Sequence, residues 1–290
     1  MSITFEGRVA IVTGAGGGLG RCHALELARR GAKVVVNDLG GAMDGTGGSS
    51  EAAKKVVEEI CAAGGAAIAD GASVADVKGA KRMVGEAMNA WGRVDILINN
   101  AGILRDKSFS KMTMDDFRAV VDVHLMGAVI CTREVWGIMR EQGYGRIVMT
   151  TSPSGLYGNF GQTNYGAAKL ALVGFMNSLK IEGAKYNVHT NAIAPVAATR
   201  MTESLMPADA LKRLGPELVT PAVLFLASEQ APNGVIMQAA GGRYSVACIV
   251  ENPGVDLGAD ATVEEIADHY AQIANLTGAK PRNMLQLAQQ

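Results

Sequence analysis

Residues 8–20, RVAIVTGAGGGLG, join a short apolar run to a glycine-rich turn, and a helical pattern follows. An apolar, β-branched run of this length is typical of a parallel strand covered on both faces. Gly14 permits a tight turn, while Gly18, Leu19 and Gly20 open a helix whose N–H groups can approach a pyrophosphate. The spacing is neither Gly-x-Gly-x-x-Gly nor a P-loop, which needs a following Lys-Ser/Thr. The stretch predicts a strand, turn and helix around a dinucleotide phosphate, although a glycine cluster alone is a weak signal.

An acidic residue follows the second predicted strand, Lys33–Asn37. Asp38 lies eighteen residues after the last glycine of the turn. A separation of about 20 residues is expected for a carboxylate that accepts the ribose hydroxyls of a dinucleotide. A 2′-phosphate would meet this carboxylate with like charge, and Gly17, where a compensating cation would stand, is not basic. NAD is therefore favoured over NADP, with Arg21 as the one nearby cation that argues the other way. The alternative interpretation of Asp38 is a turn-forming acid.

Strand and helix patterns alternate along most of the chain. Further strands are predicted at residues 66–69, 94–98, 146–151, 188–193 and 235–239, and helices at 51–63, 75–91, 115–142, 160–182 and 217–228. This alternation is typical of a single Rossmann-type α/β fold, a doubly wound parallel sheet of about seven strands with helices on both faces. We assign residues 1–242 to this domain, with the cofactor and catalytic sites. Residues 243–290 are predicted to be a C-terminal extension that packs on the same domain or on a partner subunit.

Three reactive side chains stand in residues 146–180, RIVMTTSPSGLYGNFGQTNYGAAKLALVGFMNSLK. Ser152 follows a predicted strand, while Tyr165 and Lys169 lie four residues apart on one face of a predicted buried helix. A phenol must have its pKa of ~10 lowered by roughly three to act as a base near neutrality. A cation about 4 Å away contributes on the order of the 4 kcal/mol required. Ser152 would hold the substrate oxygen. Taken alone, Tyr-x-x-x-Lys is also compatible with an ordinary helix pair.

Small residues follow the fourth predicted strand, at residues 99–102, NNAG. Their size lets the backbone approach a ligand, so we place Asn99, Ala101 and Gly102 at the adenosine side of the cleft. Thr199, in the loop after the sixth predicted strand, could reach the phosphate or carboxamide of the cofactor. A plain loop threonine fits that position equally well.

Composition excludes several classes of protein. The 290 residues are 48% hydrophobic and 5% aromatic, with a formal net charge of −1, so no attraction to nucleic acid or to an anionic membrane is expected. The four cysteines show no Cys-x-x-Cys pair or Cys/His cluster, so we predict no metal site and a reducing, cytoplasmic compartment. The first residues do not resemble a signal peptide, and the final LQLAQQ is not a peroxisomal Ser-Lys-Leu address.

Four features recur together in this sequence. They are Thr13-Gly14-x-x-x-Gly18-x-Gly20, Asn99-Asn100-Ala101-Gly102, Ser152 and Tyr165-x-x-x-Lys169. Together they resemble the short-chain dehydrogenase/reductase family over residues 6–242. The resemblance implies a Rossmann-fold oxidoreductase in which Tyr165 is the acid/base. It also implies that Lys169 binds the nicotinamide ribose and lowers the tyrosine pKa, and that Ser152 orients the substrate oxygen.

Within the family, the segments VVVNDLGG, NNAGILRD, YGRIVMT, SGLYGNFGQTNY and HTNAIAP are similar to the (3R)-hydroxyacyl-CoA dehydrogenase branch. This resemblance implies that NAD oxidises a (3R)-3-hydroxyacyl-CoA thioester to 3-oxoacyl-CoA, in a homodimer or higher oligomer. It also implies that Ser73 contacts the adenine, since Ala72 replaces the usual aspartate, and that Pro195 lies at the nicotinamide end. His124 stands where most of the family has asparagine, although a lone helical histidine is more often a satisfied core residue.

Other functions remain compatible with the sequence. A 3-oxoacyl carrier-protein reductase or a hydroxysteroid dehydrogenase would use the same scaffold with another cofactor or substrate. A dinucleotide-binding regulator without turnover is the alternative from another class. The intact set of Ser152, Tyr165 and Lys169 argues against that alternative.

Overall fold

The computed structural model describes residues 2–198 and 213–281. The strands are β1 (Val9–Thr13), β2 (Lys33–Asn37), β3 (Ala66–Asp70), β4 (Ile96–Asn99), β5 (Gly145–Thr150), β6 (Val188–Val196), β7 (Ile236–Ala240), β8 (Arg243–Ala247), β9 (Val250–Glu251) and β10 (Lys280–Pro281). The helices are α1 (Gly18–Arg29), α2 (Glu51–Ala62), α3 (Val77–Trp91), α4 (Met114–Val121), α5 (Gly127–Gln142), α6 (Pro153–Tyr157), α7 (Thr163–Gly183), α8 (Thr220–Ala227), α9 (Val263–Asp268) and α10 (Tyr270–Ile273). Two compact units form, Met1–Val246 and Ala247–Gln290, while the domain boundary after residue 242 stays a prediction.

Strands β1 to β7 form a parallel sheet in the order β3-β2-β1-β4-β5-β6-β7. Strand β1 is buried along its whole length, which explains why a continuous apolar run marks it rather than an alternating pattern. Helices α1, α2 and α8 share one hydrophobic core, and helices α3, α5 and α7 pack on strands of the same sheet. The predicted doubly wound α/β fold is confirmed.

An eighth strand adds to the edge of this sheet. Strand β8 lies beside β7 and follows it after only Gly241 and Gly242. Both glycines have positive φ, +55° and +82°, as a tight hairpin turn requires at its two central positions. Residues 243–247, which the prediction assigned to the extension, form this strand.

The order of the strands reverses beside β1, which pairs with both β2 and β4. In an open α/β sheet, the loops at the carboxyl ends of the strands diverge at such a point and leave a crevice. The glycine turn after β1 and residues 99–102 after β4 border that crevice. The fold therefore brings the two predicted ligand-binding loops together.

The predicted helix at residues 115–142 is three elements rather than one. Helix α4 passes into a π-helical turn, Asp122–Met126, before α5 begins. Such a turn carries one extra residue, so it rotates the following side chains relative to a continuous α-helix. No residue type marks this insertion in the sequence. In the structure, Val121 and Gly127 on either side of the turn both keep helical backbone angles.

Helix α7 spans 21 residues and is apolar on most sides. It buries one face in the core and exposes the stripe Ala167, Leu170, Gly174, Ser178 and Ile181. Leu170 and Ile181 are 46% and 45% exposed, so an apolar strip of the helix faces outward. No helix in the described part of the chain combines the length and apolar character that a membrane span requires.

The C-terminal unit has little core of its own in its described residues. Strands β9 and β10 pair antiparallel, and Thr262 starts α9 with a capping box that Glu265 completes. Val263, Ile266 and Tyr270 lie on one side of this helical region at 72%, 48% and 66% exposure. The unit therefore presents apolar side chains that its own fold does not cover.

Candidate active site

The ends of β1 and β4 are held together at the crevice. The hydroxyl of Thr13 accepts hydrogen bonds from the backbone N–H groups of Asn100 (3.0 Å) and Ala101 (3.1 Å). The Asn100 amide donates in return to the carbonyl oxygens of Thr13 and Gly14, both at 3.0 Å. These bonds fix the glycine turn against the segment that follows β4.

The glycine turn is a cradle that side chains would fill. Gly14 has φ +62°, and a Cβ there would lie 2.7 Å from the Cα of Ala101. A Cβ on Gly20 would overlap the carbonyl oxygen of Gly14, so the first turn of α1 packs directly on the loop. A Cβ on Gly17, by contrast, would meet nothing within 4 Å, and Gly18 has φ +50°. Open backbone at the N-terminus of a helix fits the pyrophosphate of a dinucleotide.

A cleft of about 250 Å³ extends from this cradle. The predicted cofactor residues that line it are Gly14, Gly18, Leu19, Asp38, Ser73, Ala101 and Gly102. Asn37, Ala72 and Val74 line it as well, at the adenosine side. Its shape and donors fit an extended dinucleotide, with a carboxylate at one end and backbone N–H groups in the middle.

Asp38 is fixed at the end of β2. Its carboxylate accepts from the N–H of Gly16 (2.7 Å) and the N–H of Gly40 (2.6 Å). Arg21, the one cation that could have attracted a 2′-phosphate, forms an ion pair with Glu59. The acid in the cleft is therefore held in place, and the competing cation is already engaged.

The lining of this cleft lacks five of the predicted cofactor residues in the described ranges, which are Gly20, Asn99, Tyr165, Lys169 and Pro195. Asn99 turns the other way, because neighbouring residues of a strand point to opposite faces, and its amide donates to the Thr132 hydroxyl at 3.1 Å. Asn100, the next residue of the same predicted motif, lines the cleft instead. Pro195 lies in β6 beside Ala239 and is absent from the described lining. Thr199 lies outside the described residues.

Ser152, Tyr165 and Lys169 come together at the carboxyl end of β5. Ser152 caps α6, where its hydroxyl accepts from the N–H of Ser154 at 3.1 Å. Lys169 is 3% exposed, and its ammonium nitrogen lies 5.5 Å from the centre of the Tyr165 ring. The same ammonium donates to the carbonyl oxygen of Thr150 at 2.5 Å. The predicted trio is therefore assembled, while its catalytic roles stay a prediction.

The electrostatics of this trio differ from expectation. The sequence predicts that Lys169, helped by an oxidised nicotinamide, lowers the pKa of Tyr165, and in the chain without the cofactor the effect of burial is the larger. Burial raises the pKa of Tyr165 to about 12, opposed by a side-chain hydrogen bond with Ser152. Burial also lowers the pKa of Lys169 to about 7. Desolvation penalises both charged forms, and a spacing of four residues in the sequence does not reveal its size.

A segment missed by the sequence analysis links the cleft to the catalytic helix. We name residues 103–107 the strap and residues 39–50 the roof loop. The strap holds the roof loop through the N–H of Leu104, which donates to the carbonyl of Met43, and through Arg105, which donates to the carbonyl of Asp44, both at 2.9 Å. The roof loop therefore forms part of the cleft wall.

His124 lies in the π-helical turn and is 3% exposed. Its Nε2 lies 2.7 Å from the carbonyl oxygen of Ile103 and 3.0 Å from the N–H of the same residue. Its Nδ1 has no hydrogen-bond partner among the described residues. A cavity of about 10 Å³, with room for about one water, lies between His124, Asn99 and Lys169. Burial, and then the charge of Lys169, lower the histidine pKa well below its usual value.

Comparison with known proteins agrees with this geometry. A family model described as short chain dehydrogenase matches residues 8–210. A short-chain type dehydrogenase/reductase of Mycobacterium tuberculosis is 50% identical over 95% of this chain and 96% of its own length. The solved full-length peroxisomal multifunctional enzyme type 2 of Drosophila melanogaster is 39% identical, with a TM-score of 0.83, over 99% of this chain and 49% of that chain. This chain thus spans about half of the Drosophila protein.

A third relative was solved with a cofactor. The structure of 7α-hydroxysteroid dehydrogenase complexed with NADH and 7-oxo glycochenodeoxycholic acid is 30% identical, with a TM-score of 0.74, over 82% of this chain and 95% of that one. The chain belongs to the short-chain dehydrogenase family. It is an oxidoreductase that acts on CH–OH donors with a nicotinamide dinucleotide cofactor. The similarity to peroxisomal multifunctional enzyme type 2 agrees with the branch of the family that the quoted sequence segments resemble.

Proposed function

We propose that this protein oxidises a (3R)-3-hydroxyacyl-CoA thioester to the 3-oxoacyl-CoA with NAD. The observation that carries the proposal is the convergence of Tyr165, Ser152 and Lys169 beside a cleft that fits a dinucleotide. The substrate rests on the segments similar to the hydroxyacyl-CoA branch and on the likeness to the Drosophila multifunctional enzyme. The CoA thioester is the small-molecule partner.

The proposed roles follow from what each side chain can do at its position. When bound, an oxidised nicotinamide supplies the acceptor for the hydride of the carbinol carbon and a positive charge. Tyr165, as phenolate, takes the hydroxyl proton of the substrate, so the alcohol becomes a ketone. Ser152 holds the substrate oxygen through its hydroxyl. Lys169 supplies an ammonium 5.5 Å from the centre of the phenol ring, and it would hydrogen-bond the ribose of the cofactor.

The choice of NAD rests on Asp38. A carboxylate with two short backbone hydrogen bonds cannot turn away from a 2′-phosphate without losing both. Each hydrogen bond to a charged group contributes about 1.5–3 kcal/mol, so the orientation is strongly held. The ribose hydroxyls of NAD can donate to the remaining lone pairs of this carboxylate, whereas a phosphate would be repelled.

Replacing Gly16 with alanine is expected to weaken this selection. A Cβ at Gly16 would lie 2.8 Å from the Asp38 carboxylate and 2.7 Å from the Ala52 Cβ, so the carboxylate must move. We expect the affinity for NADH to fall by about tenfold, the equivalent of one such charged hydrogen bond, and the affinity for NADPH to change less. Fluorescence titration of both dinucleotides measures the ratio.

The matched control for that variant is Gly85→Ala in α3, where a Cβ would meet nothing within 4 Å. It should leave both affinities unchanged. An unaltered ratio in Gly16→Ala would show that the carboxylate is not positioned by this contact. A preference of the wild type for NADPH would overturn the cofactor proposal itself.

A substrate panel tests the reaction. The alternatives are a 3-oxoacyl carrier-protein reductase and a hydroxysteroid dehydrogenase, and this chain has a similar relative of each kind. We expect NADH formation to be fastest with (3R)-3-hydroxyacyl-CoA esters, slower with their (3S) isomers and slowest with hydroxysteroids. Dinucleotide binding without turnover of any of them would leave the non-catalytic regulator as the function.

We propose a homodimer or higher oligomer, since the outward stripe of α7 carries Leu170 and Ile181 beside Gly174, which lets another backbone approach closely. A molar mass of 30.2 kDa in light scattering, the mass of one chain, would contradict this proposal.

The C-terminal unit, with its exposed Val263 and Tyr270, is proposed to pack on its own domain or on a partner subunit. We propose a cytoplasmic compartment, which the free state of all four cysteines supports. The Drosophila relative, by contrast, is a peroxisomal enzyme.

A further inference from the structure

The strap runs along the start of the catalytic helix. Three hydrogen bonds join them: the amide of Asn164 to the carbonyl of Arg105 (3.1 Å), the amide of Gln162 to the carboxylate of Asp106 (2.6 Å), and the N–H of Lys107 to the carbonyl of Gly161 (2.9 Å). Asp106 is an exposed residue, and its hydrogen bond with Gln162 is partly buried. Its partner Gln162 stands three residues before Tyr165, within one turn of the reacting phenol.

The negative charge of Asp106 is not neutralised locally. Gln162 is a neutral donor, and Asp106 forms no ion pair with any residue in the described ranges. The two cations beside it on the strap face another acid. Arg105 lies 3.7 Å and Lys107 2.8 Å from the carboxylate of Asp116 in α4. The strap therefore places an acid against Gln162, at the start of the catalytic helix, and directs its cations toward Asp116.

The groups on the other side of the phenol do not compensate for this charge. His124 packs edge-on against the Tyr165 ring at 5.1 Å, and its lowered pKa leaves it neutral. The ammonium of Lys169 is buried and directed at a backbone carbonyl. Burial raises the pKa of Tyr165 most, and the charge of Asp106 raises it further. A second anion brought to the reacting carbon would be repelled by Asp106.

We propose that Asp106 is a specificity-determining residue that excludes substrates with a carboxylate next to the reacting carbon and admits neutral thioesters and esters. This inference rests on the proposed function, because it explains why a 3-hydroxyacyl thioester would be accepted and the free 3-hydroxy acid refused. The thioester carries its phosphates far from the carbinol, whereas the free acid carries a full charge two carbons away. Repulsion of the wrong partner is a common basis of such discrimination.

The test compares two substrates that differ only in that charge, (3R)-3-hydroxybutyrate and its methyl ester, through NADH formation. The wild type should prefer the ester. In Asp106→Asn the kcat/KM for the free acid should rise by roughly three- to tenfold, because the variant removes a repulsion between like charges that solvent screens only in part. On the plateau of the pH profile the ester should change little, since asparagine keeps an oxygen that can accept from Gln162.

Two further variants separate charge from structure. Asp106→Glu keeps the charge and should keep the wild-type preference. Asp115→Asn removes an acid whose side chain is 92% exposed and paired with Arg118, so it should change neither rate. The rising limb of the pH profile for ester oxidation should also move to lower pH in Asp106→Asn, because a nearby negative charge no longer opposes ionisation of Tyr165.

An equal loss of both rates in Asp106→Asn, or an unchanged ratio of ester to acid, would overturn the inference. A wild type that oxidises no 3-hydroxyacyl ester would instead overturn the proposed function. In that case the inference is decided by inhibition constants of acetoacetate and methyl acetoacetate, measured against whichever alcohol the enzyme oxidises. Asp106→Asn should then strengthen inhibition by acetoacetate alone, and equal constants in the two proteins would contradict it.

Discussion

Replacing Tyr165 with phenylalanine is expected to lower kcat by about 10²–10⁴-fold, the range that a positioned general base contributes. The change removes one hydroxyl from a ring that packs against His124 and stands above Lys169, so the packing of the ring is preserved. Dinucleotide affinity should stay close to that of the wild type. Steady-state NADH formation and a binding titration measure the two effects separately.

The matched control is Tyr144→Phe at the amino end of the sheet. Tyr144 lies between the guanidinium groups of Arg8 and Arg146, 3.6 and 4.3 Å from its ring centre. Its hydroxyl has no hydrogen-bond partner among the described residues, so its removal should alter neither activity nor folding. Activity retained in Tyr165→Phe, beside an active control, would remove Tyr165 from the mechanism.

Replacing Lys169 with methionine is expected to abolish turnover and to raise the stability of the free protein. Burial lowers the pKa of Lys169 from 10.5 to about 7, so holding the charged form in the folded state costs on the order of 4 kcal/mol at neutral pH. The variant also loses the hydrogen bond to the Thr150 carbonyl, which lowers its stability by about 1–3 kcal/mol and so offsets part of that gain. We expect a net gain of about 2 kcal/mol in the free energy of unfolding at pH 7.

The stability difference between Lys169→Met and the wild type should depend on pH. Between pH 7 and 10.5 the unfolded chain keeps the lysine proton that the folded chain has released, so wild-type stability rises with pH across that window. The advantage of Lys169→Met should therefore shrink as pH approaches 10.5. Urea unfolding at pH 7 and pH 10 measures it. A variant that is less stable than the wild type at pH 7 would show that the buried ammonium stabilises the fold.

The architecture of the sheet could be predicted from the sequence because local patterns decide it. Runs such as Val9–Thr13 identify strands that are covered on both faces. The glycines that follow predict the tight turn that connects β1 to α1. The edge strand β8 was harder, since its residues are exposed and carry no core pattern. Only the paired positive φ angles of Gly241 and Gly242 show the hairpin that returns it to the sheet.

The site was predicted less completely, for reasons that lie in tertiary structure. The choice between Asn99 and Asn100 depends on the phase of β4 at its last residue, which composition does not fix. The strap acid Asp106 matters only because Gln162 lies opposite, and the two are far apart in sequence. The pKa of Tyr165 depends on how deeply its hydroxyl is buried, which the Tyr-x-x-x-Lys spacing leaves open.

In the proposed mechanism, Tyr165 is protonated in the free enzyme and becomes a base when the oxidised dinucleotide is bound. Ultraviolet difference titration of the wild type against Tyr165→Phe reports the phenolate of this residue alone, with and without oxidised dinucleotide. We predict a pKa of about 12 in the free protein and a clear shift toward neutrality when NAD is bound. A Tyr165 that titrates at the same high pH in both states would contradict the account.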